Sequence, residues 1–126
     1  MTQHLIIQGR LPGRNEAERA ARTSWALGAK LKKENTELVY WECKKQHIMP
    51  VSGIAIITVT FYERDNRRDT DNIYGGLKYI LDGMVNAGII VDDSRKYVKL
   101  QIMPVGVDKL NPRIEIQIEG EVTNDN

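Results

Sequence analysis

Residues 51–62 read VSGIAIITVTFY, a stretch dominated by β-branched, aliphatic and aromatic side chains. Apolar and polar positions alternate imperfectly and no proline interrupts the run, which is typical of a strand in the middle of a sheet. The following residues, 63–72, read ERDNRRDTDN and are almost entirely charged or polar. The pattern therefore predicts a central strand that is followed by a loop outside the core.

An amphipathic helix is predicted after this loop. Apolar residues recur at three- and four-residue spacings from position 73 to 85, and Gly88 stands where a C′ glycine would end the helix. Gly75 and Gly76 each disfavour helix by about 1 kcal/mol relative to alanine, so we expect the helix proper to begin near Leu77. The apolar residues 89–91 then predict a short strand that leads to an acidic corner.

A short strand and a long helix are predicted in the first third of the chain. Residues 4–8 read as the strand. From Asn15, which is well placed as an N-cap, apolar residues recur near a helical period. We expect this helix to break near Asn35 and Thr36 and to resume through Lys45.

Two more strands complete the predicted elements. Residues 98–103 and 113–119 carry the strand patterns, and residues 120–126 read as a mobile tail. The resulting order, β-α-β-α-β-β, contains no linker or repeat. It predicts an α+β fold with a single domain over residues 1–126, in which helices pack on a mixed sheet.

Composition restricts the class of protein. A chain of 126 residues can hold a core without disulfides or a structural metal, so any bound metal would be functional. The single cysteine, Cys43, excludes an intrachain disulfide and a cysteine-based zinc site, and it fits a reducing cytoplasm. The apolar stretches are too short for a secretion signal or a membrane span. We therefore expect a cytoplasmic protein that does not act at a membrane.

Four aspartates form the candidate chemical site. Asp69 and Asp71 are one residue apart, so both carboxylates can point the same way, while Asp92 and Asp93 follow the predicted helix and can return to them. Two unit charges about 4 Å apart repel by about 4 kcal/mol at an effective dielectric of about 20, so such a cluster needs a cation. Carboxylates without nearby histidine or cysteine select Mg²⁺, with Mn²⁺ as a substitute.

Basic residues accompany these aspartates. On a helix, Asp71, Gly75, Lys78 and Asp82 fall on one stripe, so Lys78 could neutralise part of the cluster or meet charge that develops on a phosphate. Three arginines flank the acidic loop and could hold phosphates on either side of the site, namely Arg64, Arg67 and Arg68. Residues 1–47 carry an excess of four positive charges and the remainder an excess of three negative charges.

Each feature also has a plain structural interpretation. Asp71 could cap the helix, Asp92 and Asp93 could form a turn, Lys78 could be solvated, and the arginines could belong to an ordinary charged loop. His4 and His47 have no partner at ligand spacing and are interpreted as non-functional. Three aromatic residues are interpreted as core or subunit contacts, namely Trp25, Tyr40 and Trp41.

Taken together, the motifs resemble those of the RusA-type Holliday junction resolvases. The similarity covers roughly residues 64–119: RRDTDN at 67–72, Lys78, LDG at 81–83, AGIIVDD at 87–93 and RIEI at 113–116. The opening LPGRNE at 11–16 is similar to phage-encoded members. One departure is the spacing of the lysine, which follows Asp71 by seven residues here and by four in the best-known members.

The resemblance implies a function and a set of residues. It implies a homodimer that binds four-way DNA junctions and makes paired, symmetric nicks with Mg²⁺ and no organic cofactor. Asp69, Asp71 and Asp93 match the catalytic carboxylates, Lys78 matches the required lysine, and Asp92 is a further metal-ligand candidate. Candidate junction contacts near the first helix are Arg10, Arg14, Lys44 and Lys45.

Three alternatives remain open from the sequence. The chain could be a non-catalytic module that binds branched DNA, a nuclease for other branched DNA, or a cation-binding or assembly protein without a nucleic-acid role. The last is disfavoured because the acidic loop lacks the regular ligand spacing and distal glutamate of an EF-hand.

Overall fold

A five-stranded mixed sheet forms one layer of the fold in the computed structural model, which describes residues 1–122. The strands are β1 (Thr2–Gln8), β2 (Val51–Glu63), β3 (Val98–Ile102), β4 (Gly106–Val107) and β5 (Arg113–Val122). The helices are α1 (Arg14–Thr23), α2 (Trp25–Lys45), the single turn α3 (Thr70–Ile73) and α4 (Leu77–Asn86), with a 3₁₀ turn over Tyr74–Gly76.

Strand β2 lies inside the sheet. The strand order is β1-β5-β2-β3; β5 pairs antiparallel with both β1 and β2, whereas β3 and β4 pair parallel with β2. A parallel neighbour requires a crossover, and the segment through α3 and α4 provides the one between β2 and β3. The crossover therefore carries the motif-bearing residues along one side of the sheet.

The core lies between one face of this sheet and the helices. Alternate residues of β2, Ala55, Ile57, Val59 and Phe61, are buried, whereas the residues between them are partly or fully exposed. The buried side chains of the sheet form one cluster with Val39 and Cys43 of α2 and with Ile80 and Met84 of α4. The predicted α+β class with helices on a mixed sheet is therefore confirmed.

The start and end of α4 agree with the sequence pattern. The helix begins at Leu77, as the glycine pair predicted, although residues 70–76 form helical turns rather than an open loop. Gly88 has a φ of 76°, and its N–H donates to the carbonyl of Val85 while the N–H of Ile89 donates to that of Met84. These bonds form a Schellman motif, which confirms Gly88 as the C′ residue.

The predicted boundaries of the first helical segment were wrong. The N-cap of α1 is Gly13 and not Asn15, whose backbone N–H donates to the side-chain oxygen of Asn72. The break falls at Ser24, where the backbone is extended and the hydroxyl caps α2 by accepting from the N–H of Leu27. Helix α2 runs unbroken through Asn35 and Thr36, and its buried residues Thr36, Val39 and Cys43 recur at helical spacing.

Three further predictions also need correction. Residues 89–91 do not form a strand, although the carbonyl of Ile89 accepts a hydrogen bond from the N–H of Val51. The tail expected over 120–126 is wrong for Gly120–Val122, because β5 continues there and pairs with the start of β2; residues 123–126 lie outside the described part. Trp25 and Trp41 are exposed, which excludes the core interpretation for them and leaves a subunit contact as a prediction, whereas Tyr40 packs against the core.

No helix among the described residues is both long enough and apolar enough to cross a membrane.

Candidate active site

Lys78 links two acidic residues that come from different parts of the chain. Its Nζ lies 3.2 Å from Oδ1 of Asp82, one helical turn further along α4, and 3.6 Å from Oδ2 of Asp93, beyond the end of that helix. The hydrogen bond and charge of Asp82 raise the pKa of Lys78, against a small opposing effect of burial and with a further contribution from Asp93. The lysine is therefore held as an ammonium between two carboxylates.

The acidic corner at Asp92 and Asp93 follows the end of α4. Ile89 and Ile90 are buried after Gly88, and this burial turns the chain back along the helix. Asp92 is exposed, and its Oδ1 accepts a hydrogen bond of 2.8 Å from the backbone N–H of Asp93. This bond fixes the corner locally, so Asp92 acts in part as the turn residue that the structural interpretation anticipated.

Asp69 and Asp71 lie on the single helical turn that follows the polar loop. Asp69 is the N-cap of α3 by its backbone, but its side chain makes no capping hydrogen bond, and Asp71 lies in the first turn. Both residues are exposed, and neither carboxylate is in an ion pair among residues 1–122. Asp71 is thus not the capping residue of the helix, and both carboxylates face solvent.

Arg68, expected from the sequence to hold phosphate, is instead only slightly exposed and is bound by protein acceptors. Its side chain is 9% exposed and makes two hydrogen bonds of 2.8 Å to the carboxylate of Glu63, with a further bond to the carbonyl of Leu11 and a contact of 3.4 Å with Glu16. Burial by itself lowers the pKa of Arg68, but the hydrogen bonds and charges of Glu63 and Glu16 outweigh it and leave the pKa raised. The prediction of a phosphate contact at Arg68 was therefore wrong.

Asn72 secures the other end of the acidic turn. It is buried, and its Oδ1 accepts a hydrogen bond of 2.8 Å from the N–H of Asn15. A Cβ added to Gly13 would lie 2.5 Å from that oxygen, so glycine is required there for the close approach. Together Arg68 and Asn72 hold residues 69–71 against the start of α1. The expectation that residues 63–72 lie wholly outside the core is wrong at Glu63 and Asn72.

The carboxylates fit a divalent ion by their chemistry but are not gathered into a cage. Aspartate oxygens without histidine or cysteine beside them are the donors that Mg²⁺ prefers. Within residues 1–122, no group of three or more histidine, cysteine, aspartate or glutamate side chains is close enough to hold a metal ion. The structure brings Asp93 to Lys78, and within residues 1–122 it does not gather Asp69, Asp71 and Asp93 into one group.

The remaining basic candidates lie on the surface in different settings. Arg64 and Arg67 both lie within 4 Å of Asp65, Arg10 lies 3.9 Å from Glu16, and Arg14 lies 3.3 Å from Glu18. At the C-terminal end of α2, Lys45 lies 3.9 Å from Glu42. Lys44 donates to the carbonyl of Ala87 and lies over the ring of Tyr40. Lys44 therefore has a structural role at the end of α4.

The lone thiol is not a nucleophile of this site. Cys43 is fully buried on α2, and burial raises its pKa to about 12, with a smaller opposing effect of Lys44. A thiol with such a pKa stays protonated and inert at neutral pH.

The amino-acid sequence did not reveal which side chains pair with Arg68 and Lys78. Glu63 and Glu16, which bind Arg68, carried no signal, because Glu63 was one of many polar residues in the segment 63–72 and Glu16 is 52 residues away from Arg68. Asp82 was recognised as part of the acidic stripe but not as a site residue, although its spacing of four from Lys78 is the separation that brings helical side chains together.

A protein-family model described as endodeoxyribonuclease RusA matches residues 19–119. The match spans most of the chain and takes in Asp69, Asp71, Lys78 and Asp93. No curated protein matches the chain significantly.

Proposed function

The chain belongs to the RusA family of endodeoxyribonucleases and is therefore a DNA hydrolase of the Holliday-junction-resolvase type; on this premise we propose that it cuts four-way junctions by paired, symmetric nicks with Mg²⁺. The observation that carries the proposal is the contact of 3.6 Å between Lys78 and Asp93. It joins two family-matched residues on an exposed surface where a DNA backbone has access.

The acidic and the basic side chains of the site would have different roles. Asp69, Asp71 and Asp93 would hold the divalent ion, with Asp92 beside them as an accessory ligand. When bound, Mg²⁺ would supply activation of a water molecule and stabilisation of the leaving oxygen, with Mn²⁺ as a substitute. The ammonium of Lys78, kept charged by Asp82 and Asp93, would neutralise negative charge that develops on the scissile phosphate.

Asp69 and Asp71 are suited to bind a cation from solvent. Both are exposed and lie in no ion pair within the described chain, and their neighbours Arg68 and Asn72 hold them in place. Two unpaired carboxylates one residue apart repel each other, and a divalent ion would remove that repulsion. Among residues 1–122 no three carboxylates are gathered in advance, which fits an ion that binds together with DNA phosphate, as Mg²⁺ commonly does.

A two-fold dimer in the cytoplasm is part of the proposal. A four-way junction has two-fold symmetry, and two strands must be cut symmetrically, so two copies of one active site suit the substrate. The exposed arginines Arg64 and Arg67 remain candidate phosphate contacts, together with Arg10, Arg14 and Lys45.

The decisive experiment is cleavage of a labelled synthetic four-way junction, with Mg²⁺, Mn²⁺, Ca²⁺ or EDTA present. We expect paired nicks at symmetric positions with Mg²⁺ and Mn²⁺, and none with EDTA. A labelled flap, a fork and a linear duplex serve as competing substrates. Cutting of the flap or fork while the junction stays intact would assign the enzyme to other branched DNA; binding without cutting of any substrate would make it a non-catalytic module.

A further inference from the structure

A surface cleft of about 550 Å³ lies where α2 packs on α4, beside the acidic corner. Lys32, Lys33 and Glu37 line it from α2, and Asp82, Asp92 and Asp93 line it from the opposite side, so its cations lie on the α2 side alone. The two lysines are exposed and belong to none of the sequence-predicted contacts. The acidic wall is the one that contains both partners of Lys78.

These lysines differ from their neighbours on the same helix. Lys30 lies 3.8 Å from Glu34, the residue one turn further on, and Lys45 lies 3.9 Å from Glu42. Glu37 stands at the same spacing from Lys33 and also lines the cleft, yet across residues 1–122 neither Lys32 nor Lys33 has a carboxylate within 4 Å. The cleft is thus not closed by ion pairs between its own walls.

Lys32 also lines a second cleft, between α1 and the start of α4, together with Arg14, Gly75 and Lys78. Lys32 therefore lines both clefts, whereas Arg14 in the second cleft is paired with Glu18. Unpaired cations beside a group of carboxylates are expected where a polyanionic strand passes a cation-dependent site.

Resting on the proposed function, we infer that the cleft between α2 and α4 binds the phosphate backbone of the DNA strand next to the scissile bond, with Lys32 and Lys33 as its phosphate contacts. Their role is to bind and align the strand; the aspartates and Lys78 remain the groups that act on the reacting phosphate. Lys44 and Lys45 lie on the same helix but roughly 18 Å further along its axis from Lys33, by the rise of an α-helix, and so belong to a different surface.

The test compares Lys32→Ala and Lys33→Ala with Lys30→Ala, a matched control on the same helix with the same loss of charge. Affinity for a labelled four-way junction is measured in Ca²⁺ over a series of salt concentrations. Each phosphate contact contributes about 0.9 to the slope of log affinity against log salt. We expect the slope to fall by about one in each cleft variant and by about two in the double variant, with no change in Lys30→Ala.

The second part of the experiment restores the positive charge at positions 32 and 33. Lys32→Arg/Lys33→Arg should recover the wild-type slope, because a phosphate contact depends on positive charge. If wild-type protein binds the junction and Lys32→Ala/Lys33→Ala binds with the same salt slope as Lys30→Ala, the assignment of the cleft is overturned while the proposed function stands. If wild-type protein binds no branched DNA, the proposed function fails and this inference fails with it.

Discussion

The Nζ of Lys78 lies 3.6 Å from Oδ2 of Asp93, although Lys78 is in the first turn of α4 and Asp93 follows its C-terminal end. A ten-residue helix is about 15 Å long, so the chain must turn back along α4 for these groups to meet. The Schellman motif at Gly88 and the buried Ile89 and Ile90 produce this return. The relationship explains how one short helix can organise both an ammonium and a distant carboxylate.

Replacement of Asp71 by asparagine should abolish cleavage while junction binding is retained. The carboxylate is exposed and lies in no ion pair within residues 1–122, so its loss removes a metal-ligand candidate and no structural contact. The free energy of unfolding of the metal-free protein should therefore stay equal or rise. Junction cleavage in Mg²⁺, binding in Ca²⁺ and urea unfolding measure the three effects.

Asp65→Asn is the control for this variant. Asp65 belongs to the same loop but is paired with Arg64 and Arg67, so its substitution should leave cleavage intact. Failure of Asp71→Asn to fold would make Asp71 a structural residue.

Replacement of Lys78 should separate the effect of charge from that of packing. We expect Lys78→Met to lower the single-turnover cleavage rate by about 10²–10³-fold, as for the loss of one transition-state hydrogen-bond donor, and Lys78→Arg to keep part of the rate. Because Asp82 and then Asp93 raise the pKa of Lys78 above its ordinary value of 10.5, the wild-type rate should show no loss from lysine deprotonation near neutral pH. If the wild-type rate falls near neutral pH and Lys78→Arg shows the same pH profile, the group that titrates is not Lys78.

The same pKa shift has a defined sign for stability. A folded-state pKa that is raised means that the contacts of Lys78 stabilise the protein below the unfolded pKa. This stabilisation is lost as the pH rises through the folded-state pKa. Since the side chain is 60% exposed, solvent screening keeps the contribution small, so urea unfolding of Lys78→Met should differ little from wild type.

Arg68→Met should destabilise the protein by about 3–5 kcal/mol, because it leaves the carboxylate of Glu63 buried without its partner. Arg67→Met, the adjacent control, is 84% exposed and should change the free energy of unfolding by no more than about 0.5 kcal/mol. The double variant Glu63→Leu/Arg68→Met should recover most of the loss, since it removes both buried charges. Urea unfolding measures all three. An Arg68→Met protein of wild-type stability that no longer binds junctions would restore the phosphate contact suggested by the sequence.

Gly83→Ala should destabilise the packing of α4 on α2. A Cβ at position 83 would lie 2.5 Å from the Cβ of Val39 and 2.9 Å from the carbonyl oxygen of Thr36. Overpacking of this kind costs about 1–3 kcal/mol, measurable by urea unfolding. Val39→Ala keeps the Val39 Cβ but removes Cγ1, which would lie 2.7 Å from the added Cβ. It relieves part of the overlap, so the double variant should lose slightly less than the sum of the two single losses. Strict additivity would mean that the two positions do not press against each other.

Local patterns were sufficient for the elements that carry the motifs. The β-branched run of β2, the start of α4 at Leu77 and its end at Gly88 follow from backbone preferences of the residues themselves. The break between α1 and α2 was missed because the apolar period continues across it. The capping hydroxyl of Ser24 was the signal that could have located it.

The amino-acid sequence by itself determined the α+β class, the helix of the motif and the identity of the candidate carboxylates, because these depend on periodicity and residue chemistry along the chain. The tertiary structure alone decided which charged residues are buried and which meet. The side chain of Arg68 is 9% exposed because it binds Glu63, Leu11 and Glu16, whereas the side chain of its neighbour Arg67 is 84% exposed. A charged side chain can be buried only where a partner compensates its lost hydration, and that partner is supplied by the fold rather than by adjacent residues.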